Sequence, residues 1–312
     1  MDKLSQMTTG GDVETFLGLP KLDDLRRLEA SIVLIGAPCA TPYPSVGAYC
    51  AGAPREIRRA SAALAGGLQH VNFDLGGPIF PRRTTAADLG DLPQDPADAA
   101  GNRARIFGAV NQVLDAGACP VVIGGDDSVP IPMLEAFGAR DRPITVVQID
   151  AHIDWRDVLE GERMGLSSTM RRASEMDHVA GIIQIGQRGT GTARPEELEA
   201  ALDWGALMVP GGEVARRGVG RALDAVPNGA DVVICLDVDA LDPQVMPAVY
   251  ARTAGGLSYW QVLEICAGVA EKARIAGIVM VEFMPERDLD GQGASLAAQL
   301  LASILGILAR QE

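Results

Sequence analysis

Three short acidic motifs in the sequence each follow an apolar segment, and their residue types suit metal binding. The motifs are GGDDS at residues 124–128, DAHID at 150–154 and DVD at 237–239. A single aspartate after a strand often caps a helix or a loop. Carboxylates that gather from separate segments, however, repel one another unless a cation lies between them. Because oxygen ligands with one imidazole suit a divalent ion, we interpret the motifs as a metal site.

The segments that carry these motifs are typical of strands in a parallel sheet. They are too short for helices and apolar throughout, as strands covered on both faces are. The predicted strands are 31–38, 120–125, 144–150, 181–186, 231–237 and 275–281, with a short additional strand at 206–209. Capping residues and helical spacing of apolar residues predict helices at 101–117, 258–273 and 293–310.

The alternation of strands and helices predicts an α/β fold with helices on both faces of a mostly parallel sheet. No linker or internal repeat interrupts the pattern, so we expect residues 1–312 to form one domain. In such sheets, binding sites form at the carboxyl ends of the strands. The three acidic motifs are therefore expected to meet at one edge.

The charge of the chain favours a small cationic partner. The 312 residues include 41 acids and 27 bases, a formal net charge of −14. Such a charge repels nucleic acids and anionic membrane surfaces, so we expect neither as a partner. No apolar run approaches about 18 residues, no secretion signal opens the chain, and the five cysteines form no CxxC pair. These features predict a soluble protein of the reducing cytoplasm.

The motifs resemble those of the ureohydrolase family, which includes arginase, agmatinase and related guanidino-hydrolysing enzymes. The family motifs are GGDHS, DAHxD and SxDxDxxDP, and residues 124–128, 150–154 and 235–243 are similar to them. A fourth family motif, ExNPxxD, is similar to EFMPERD at 282–288. The resemblance extends from about Ile32 to the last predicted helix. It implies a three-layer αβα fold around the sheet.

The resemblance also implies two divalent ions per chain, usually manganese, with nickel in some guanidine-cleaving relatives. Two ions acidify a water molecule and direct it at the guanidinium carbon. By position, Asp150 and Asp237 would bridge the ions, and Glu282 would bind the guanidinium by charge-assisted hydrogen bonds. We expect Asp150 and Glu282 to take part in catalysis. The implied ligands are Asp127, Asp150, His152, Asp154, Asp237 and Asp239.

One ligand position departs from the family pattern, because Asp127 stands where the family has a histidine. An aspartate can bind manganese, but its extra negative charge should leave the water at the ions less acidic. Alternatively, that metal position is weak or empty while the position of His152 keeps its full ligand set.

The proton-shuttling histidine of the family is also absent. The matching segment, residues 165–172, reads GLSSTMRR. The leaving amine must then take its proton from Ser168, from Ser167, from water or from a nearby acid. Losing a well-placed acid–base group typically slows an enzyme by about 10²–10⁴-fold. His70 and His178 lie outside every motif and are expected to be surface or structural residues.

Changes around the predicted pocket indicate a substrate that differs from arginine. Met284 replaces the asparagine of the family motif, and a PGTG loop of the family becomes PAVYARTA at 247–254. Within that loop, Tyr250 and Arg252 are candidate substrate contacts. Alternatively, both are exposed loop residues that do not contact the substrate.

The leading hypothesis is an agmatinase-like hydrolase that releases urea and an amine from a guanidino compound. Candidate substrates are agmatine, a guanidinoalkanoate, guanidine, or a biguanide such as metformin. The alternative is a noncatalytic or regulatory subunit that pairs with an active relative. A dinucleotide-binding protein is disfavoured because no GxGxxG follows the first strand. The resemblance implies a trimer or hexamer, and a hetero-oligomer with a related chain remains open.

Overall fold

Eight parallel strands form one sheet in the computed structural model, which describes residues 14–81 and 85–311. Every neighbouring pair of strands is parallel, and the order across the sheet is β2-β1-β3-β8-β7-β4-β5-β6. The strands are β1 (Ile32–Ala37), β2 (Ala86–Asp91), β3 (Cys119–Gly124), β4 (Ile144–Ile149), β5 (Val179–Ile185), β6 (Leu207–Val209), β7 (Asp231–Asp237) and β8 (Arg274–Val281).

The sequence predicted seven of these strands, and their bounds agree to within about two residues. Every residue of β4 and β7 is buried, as expected for strands covered on both faces. The strand that was missed is β2, because its sequence AADLGD carries two acids and a glycine. Its Asp88 is nevertheless fully buried, and Arg58 pairs with it.

Helices cover both faces of the sheet. They are α1 (Ala53–Ala65), α2 (Ala99–Asp115), α3 (Pro130–Glu135), α4 (Thr169–Ala173), α5 (Pro195–Trp204), α6 (Gly211–Arg217), α7 (Gly220–Ala225), α8 (Tyr259–Lys272) and α9 (Gln292–Leu308). The three predicted helices correspond to α2, α8 and α9. The helix α8 begins with a capping box, in which Ser258 and Gln261 bond to each other's backbone N–H.

The apolar side chains form two cores, one on each face of the sheet. One core lies between the sheet and α1, α6, α7, α8 and α9. The other lies between the sheet and α2, α3, α4 and α5. The predicted three-layer αβα arrangement is thereby confirmed. Within residues 14–81 and 85–311, no helix is both long and apolar enough to span a bilayer.

The three acidic motifs follow β3, β7 and β4, and the EFMPERD segment follows β8; these four strands are neighbours at the centre of the sheet. Their carboxyl ends lie at one edge, as the sequence predicted. The turn after β3 passes so close to the segment after β1 that a Cβ on Gly125 would lie 2.1 Å from the carbonyl oxygen of Pro38. Glycine at this position therefore lets the two strand ends meet beneath the site.

Candidate metal centre and active-site cavity

Asp150 belongs to two groups of possible metal ligands at this edge of the sheet. One group consists of Asp150, His152 and Asp239, and the other of Asp127, Asp150 and Asp154. In each group, the ligand atoms lie within 4.8 Å of one another. A ligand shared by two such groups is in the position that a bridge between two ions requires.

Similar turns fix the acids that end β4 and β7. The backbone N–H of His152 donates to Asp150 Oδ1 at 2.6 Å, and that of Asp239 donates to Asp237 Oδ1 at 2.6 Å. Aspartate commonly bonds to the backbone two residues ahead in this way, which folds the chain sharply after a strand. Each motif therefore presents its second ligand beside its first.

His152 acts as a cation among these acids when no metal is bound. Its Nδ1 lies 3.0 Å from Asp239 Oδ2 and 3.3 Å from Asp150 Oδ1. Burial alone would lower the pKa of the imidazole, but hydrogen bonds to Asp150 and Asp239 raise it to about 12. A metal ion must therefore displace a proton from His152 to use it as a ligand.

Two buried glutamines form a hydrogen-bond network with the acids that follow β4, and the sequence analysis missed both. Gln148 Nε2 donates to Asp150 Oδ2 at 2.8 Å and to Asp154 Oδ2 at 2.6 Å. Gln184 Nε2 in turn donates to Gln148 Oε1, and Gln184 Oε1 accepts the indole N–H of Trp155. The available signal was a single glutamine within each of the apolar strands β4 and β5. Such outer hydrogen bonds orient metal ligands.

Glu282 lies at the end of β8 and faces the same site. Its backbone has a left-handed φ of 70°, and its carboxylate accepts the backbone N–H of Asp127 at 2.9 Å. The hydroxyl of Tyr49, a residue that the sequence analysis did not select, donates to both of its oxygens. Burial and the nearby charge of Asp126 raise the pKa of Glu282 to about 8.

A cavity of about 220 Å³ joins Glu282 to the possible ligands. The predicted residues on its wall are Asp127, His152, Asp154, Asp237, Asp239, Tyr250 and Glu282. Asp150 lies beneath this wall, only 1% exposed. Asp237 lines the cavity but belongs to neither of the two close ligand groups, so its bridging role stays a prediction.

The sequence profile of the Arginase family matches residues 30–306. The chain belongs to the arginase family. Together with the hydrolases among its relatives, this match shows a metal-dependent amidine hydrolase that acts on guanidino compounds.

Individual relatives match almost the full length of this arginase-family protein. Guanidinopropionase from Pseudomonas aeruginosa is 30% identical over 310 residues, covering 95% of this chain and 92% of the relative. The structure of proclavaminate amidino hydrolase from Streptomyces clavuligerus has a TM-score of 0.83 at 27% identity and covers 97% and 99% of the two chains. Trypanosoma cruzi formiminoglutamase with Mn²⁺ has a TM-score of 0.81 at 21% identity, covering 96% and 100%, which shows the shared fold.

Asp127, the departure from the family's histidine, lies within the second ligand group. It is buried, and among the described residues its Oδ2 has no hydrogen-bond partner. Burial, followed by the charges of Asp154 and Asp150, raises the pKa of its carboxyl well above the usual range. A buried carboxylate oxygen without a hydrogen-bond partner, beside two further acids, suits a divalent cation. The donor set of this arginase-family chain therefore suits the metals that the family implies.

Two predicted site residues lie away from the cavity. Ser168 is fully buried behind the wall, and within the described residues its Oγ has no partner, whereas Ser167 lines the cavity. Arg252 donates from Nε to the Pro247 carbonyl at 2.6 Å, which holds its own loop. The structure thus favours Ser167 over Ser168 for contact with a ligand, and it gives Arg252 a loop-supporting role.

The other histidines are remote from the site, and His152 is the one histidine on the cavity wall among the described residues. His178 precedes β5, at the amino-terminal ends of β4 and β5, and its Nε2 lies 2.9 Å from the Leu134 carbonyl. His70 lines a separate groove beside α9. No other imidazole within the described residues can therefore transfer protons in this cavity.

Proposed function

We propose that this protein hydrolyses the guanidino C–N bond of a small guanidino acid, releasing urea and an amine. The observation that carries the proposal is one cavity whose wall combines Glu282 with members of two ligand groups that share Asp150. A carboxylate that faces a metal centre can hold a cationic guanidinium against an attacking water.

The two ligand groups would hold two Mn²⁺ ions, with Ni²⁺ as the alternative. One ion would use Asp150, His152 and Asp239, and the other Asp127, Asp150 and Asp154, with Asp237 available to complete the set. When bound, the ions supply Lewis acidity and lower the pKa of water. Gln148 would keep Asp150 and Asp154 oriented throughout.

Glu282 would orient the guanidinium by charge-assisted hydrogen bonding. Its position is fixed because the Asp127 N–H and the Tyr49 hydroxyl both bind the carboxylate. The leaving amine would receive its proton through water and the Ser167 hydroxyl on the cavity wall. Without a second histidine there, we expect turnover about 10²–10⁴-fold below that of a relative with the shuttle.

Arg156 supports a guanidino acid as the substrate. It lies on a cavity wall that also carries six acidic side chains, and its Nε donates to Glu197 Oε1 at 2.9 Å. Within the described residues, this bond leaves the terminal nitrogens of Arg156 for a carboxylate, which a guanidinium binds well. The guanidinopropionase relative acts, by its name, on a compound that carries such a carboxylate. Tyr250 would contact the chain between the two charged ends.

The test is urea release by protein purified without chelators, loaded with Mn²⁺ or Ni²⁺ and measured for metal content. The substrates are 3-guanidinopropionate, 4-guanidinobutyrate, agmatine, guanidine and metformin. We expect about two ions per chain and the highest kcat/KM with a guanidino acid. Two bound ions without urea from any of the five compounds would overturn the proposed reaction. A preference for agmatine or metformin would overturn only the substrate class.

A matched pair of variants tests Arg156 directly. Arg156→Met should lower kcat/KM for guanidino acids at least about tenfold, because a charged hydrogen bond is lost, while agmatine is unaffected. Arg221→Met is the control, since Arg221 forms a comparable ion pair with Glu213 on an exposed surface. Equal losses for agmatine and the guanidino acids would argue against carboxylate recognition.

A noncatalytic subunit is the second candidate, and the single histidine on the cavity wall favours it. In that case the metal-loaded chain alone would release no urea but would raise the activity of an arginase-family partner on mixing. We further propose that residues 1–312 form one domain, that the chain acts in the cytoplasm, and that it assembles as a trimer or hexamer. Light scattering, alone and with the partner chain, tests the assembly.

A further inference from the structure

We propose that the Tyr49 hydroxyl occupies the position between the two carboxylate oxygens of Glu282, so that a guanidinium can bind this carboxylate through only one oxygen. The proposal rests on the guanidinium-binding role proposed for Glu282. Its consequence is specificity: the protein would discriminate against guanidine itself and favour substrates that carry a second binding group.

The position of the Tyr49 hydroxyl carries the argument. It lies 2.7 Å from Oε1 and 2.8 Å from Oε2 of Glu282. Two nearly equal distances place the hydroxyl between the two oxygens of the carboxylate. That is the position in which a guanidinium forms its two parallel N–H···O bonds. Tyr49 and a bidentate guanidinium cannot both occupy it.

The remaining acceptor positions of Glu282 are unequal. A carboxylate offers about four lone-pair positions, two on each oxygen. Oε1 also accepts the backbone N–H of Asp127 at 2.9 Å, whereas among the described residues Oε2 accepts from Tyr49 alone. Oε2 is therefore the oxygen left for a ligand, and a guanidinium would reach it with a single N–H group.

The aromatic side chains next to Glu282 hold Tyr49 in this position. The Tyr49 ring packs against the Tyr250 ring with centroids 5.2 Å apart, and the Arg287 guanidinium lies 5.4 Å from the centroid of Tyr250. Arg287 also donates to the Tyr250 carbonyl at 2.6 Å. This stack opposes rotation of the Tyr49 ring away from Glu282.

Single-point binding makes the far end of a substrate decisive. Guanidine would have one charged hydrogen bond to Glu282, while a longer substrate adds contacts elsewhere in the cavity, such as with Arg156. Removing the tyrosine ring should free the position between the two carboxylate oxygens of Glu282 and allow a second N–H···O bond from the guanidinium. Guanidinium alone should then bind at least about tenfold more tightly, as expected for an added charged hydrogen bond.

The experiment measures the Kd of guanidinium chloride by calorimetry on metal-loaded Tyr49→Leu, Tyr49→Phe and unaltered protein. Leucine keeps an apolar side chain at this position but is too short to reach Glu282, whereas phenylalanine keeps a ring next to the two carboxylate oxygens. We expect Kd to fall at least tenfold in Tyr49→Leu and less than threefold in Tyr49→Phe. Tyr259→Phe is the control, because its hydroxyl donates to Asp74 outside the cavity. Tyr49→Ala replaces Tyr49→Leu if the latter does not fold.

An unchanged or higher Kd in a folded Tyr49→Leu protein would overturn the proposal. A parallel readout is the ratio of kcat/KM for 3-guanidinopropionate to that for guanidine, which should fall at least tenfold. The calorimetry needs no turnover, so failure of the proposed reaction, seen as no urea from the unaltered protein, remains distinct from failure of the Tyr49 proposal.

Discussion

The negative charge of the buried Asp88 carboxylate and that of the buried acids at the candidate metal centre are compensated in different ways. On β2, Asp88 is fully buried and bound by Arg58 through two bonds of 2.8 and 2.9 Å. The backbone N–H groups of Phe16 and Gly90 complete its hydrogen bonds at 2.7 and 2.8 Å. This carboxylate has a permanent cation within the chain, and its role is structural.

At the metal centre, the acids outnumber the cations that the chain supplies. Burial raises the pKa of Asp127, Asp150 and Asp154. Repulsion from neighbouring carboxylates raises it further, from Asp154 and Asp150 at Asp127, from Asp239 at Asp150, and from Asp150 at Asp154. Within the described residues, Asp127 Oδ2 has no partner at all. The difference indicates that the Arg58–Asp88 pair stabilises the fold, whereas the excess negative charge at the candidate metal centre would be compensated by a bound divalent ion.

The largest effect should come from Asp150→Asn, which removes a ligand from both groups at once. We expect metal content to fall well below two ions per chain and urea release to fall at least about a thousandfold, since metal catalysis supplies several kcal/mol. Elemental analysis and a urea assay measure both. Asp157→Asn, a change at an exposed acid just after the motif, should alter neither. Retention of two ions by Asp150→Asn would remove Asp150 as the shared ligand.

Arg58→Met should destabilise the fold by about 3–5 kcal/mol, because it leaves Asp88 buried without its cation. Denaturant unfolding of the metal-free protein measures the loss. The double variant Arg58→Met/Asp88→Leu should recover most of it, since both charges are then absent. Arg221→Met, at an exposed pair, should cost no more than about 1 kcal/mol. A loss that small for Arg58→Met would contradict the difference proposed between Asp88 and the acids of the candidate metal centre.

Asp127→Asn should change the stability of the fold in the opposite direction from Arg58→Met. In the metal-free protein it should raise the free energy of unfolding by about 1–3 kcal/mol, because a neutral amide, unlike the carboxylate, is not repelled by Asp154 and Asp150. The same change at Asp88 should lower it. Denaturant unfolding of both variants provides the comparison, and effects of equal sign would contradict it. With Mn²⁺ present, Asp127→Asn should bind fewer ions than the unaltered chain.

The smallest effect concerns pH. The raised pKa values of Asp127, Asp150 and Asp154 mean that the metal-free native state binds more protons than the unfolded state. Its stability should therefore fall as pH rises above the unfolded carboxyl pKa of about 4. Because a metal displaces these protons, the increase in Tm on adding Mn²⁺ should grow with pH. Thermal unfolding from pH 5 to 8, with and without Mn²⁺, measures this trend.

The sequence revealed those parts of the structure that depend on local pattern. Six apolar segments and three acidic motifs were sufficient to predict the central strands and the edge where the acids meet. The strand β2 was missed because the burial of Asp88 depends on Arg58, a partner on α1. Tyr49, Gln148 and Gln184 were missed because each acquires its role from residues distant in sequence.

The loop predictions were the least accurate for a similar physical reason. A one-residue difference decides whether Ser167 or Ser168 faces the cavity, and spacing in a loop does not define direction as it does in a strand. The preference of β-strands for alternating or fully apolar patterns has no counterpart in residues 165–168. The segment is held instead by backbone hydrogen bonds, such as that from the Arg156 N–H to the Ser167 carbonyl at 3.0 Å, which residue types do not reveal.

Two acids of the site, Asp154 and Glu282, adopt left-handed backbone angles of 50° and 70°. Such angles cost about 1–3 kcal/mol for residues other than glycine. A library of variants selected only for heat resistance should therefore accumulate glycine at these two positions. A library selected for urea release should retain aspartate and glutamate and acquire its stabilising changes elsewhere. Sequencing both populations would show where thermal robustness and chemistry make opposing demands on this chain.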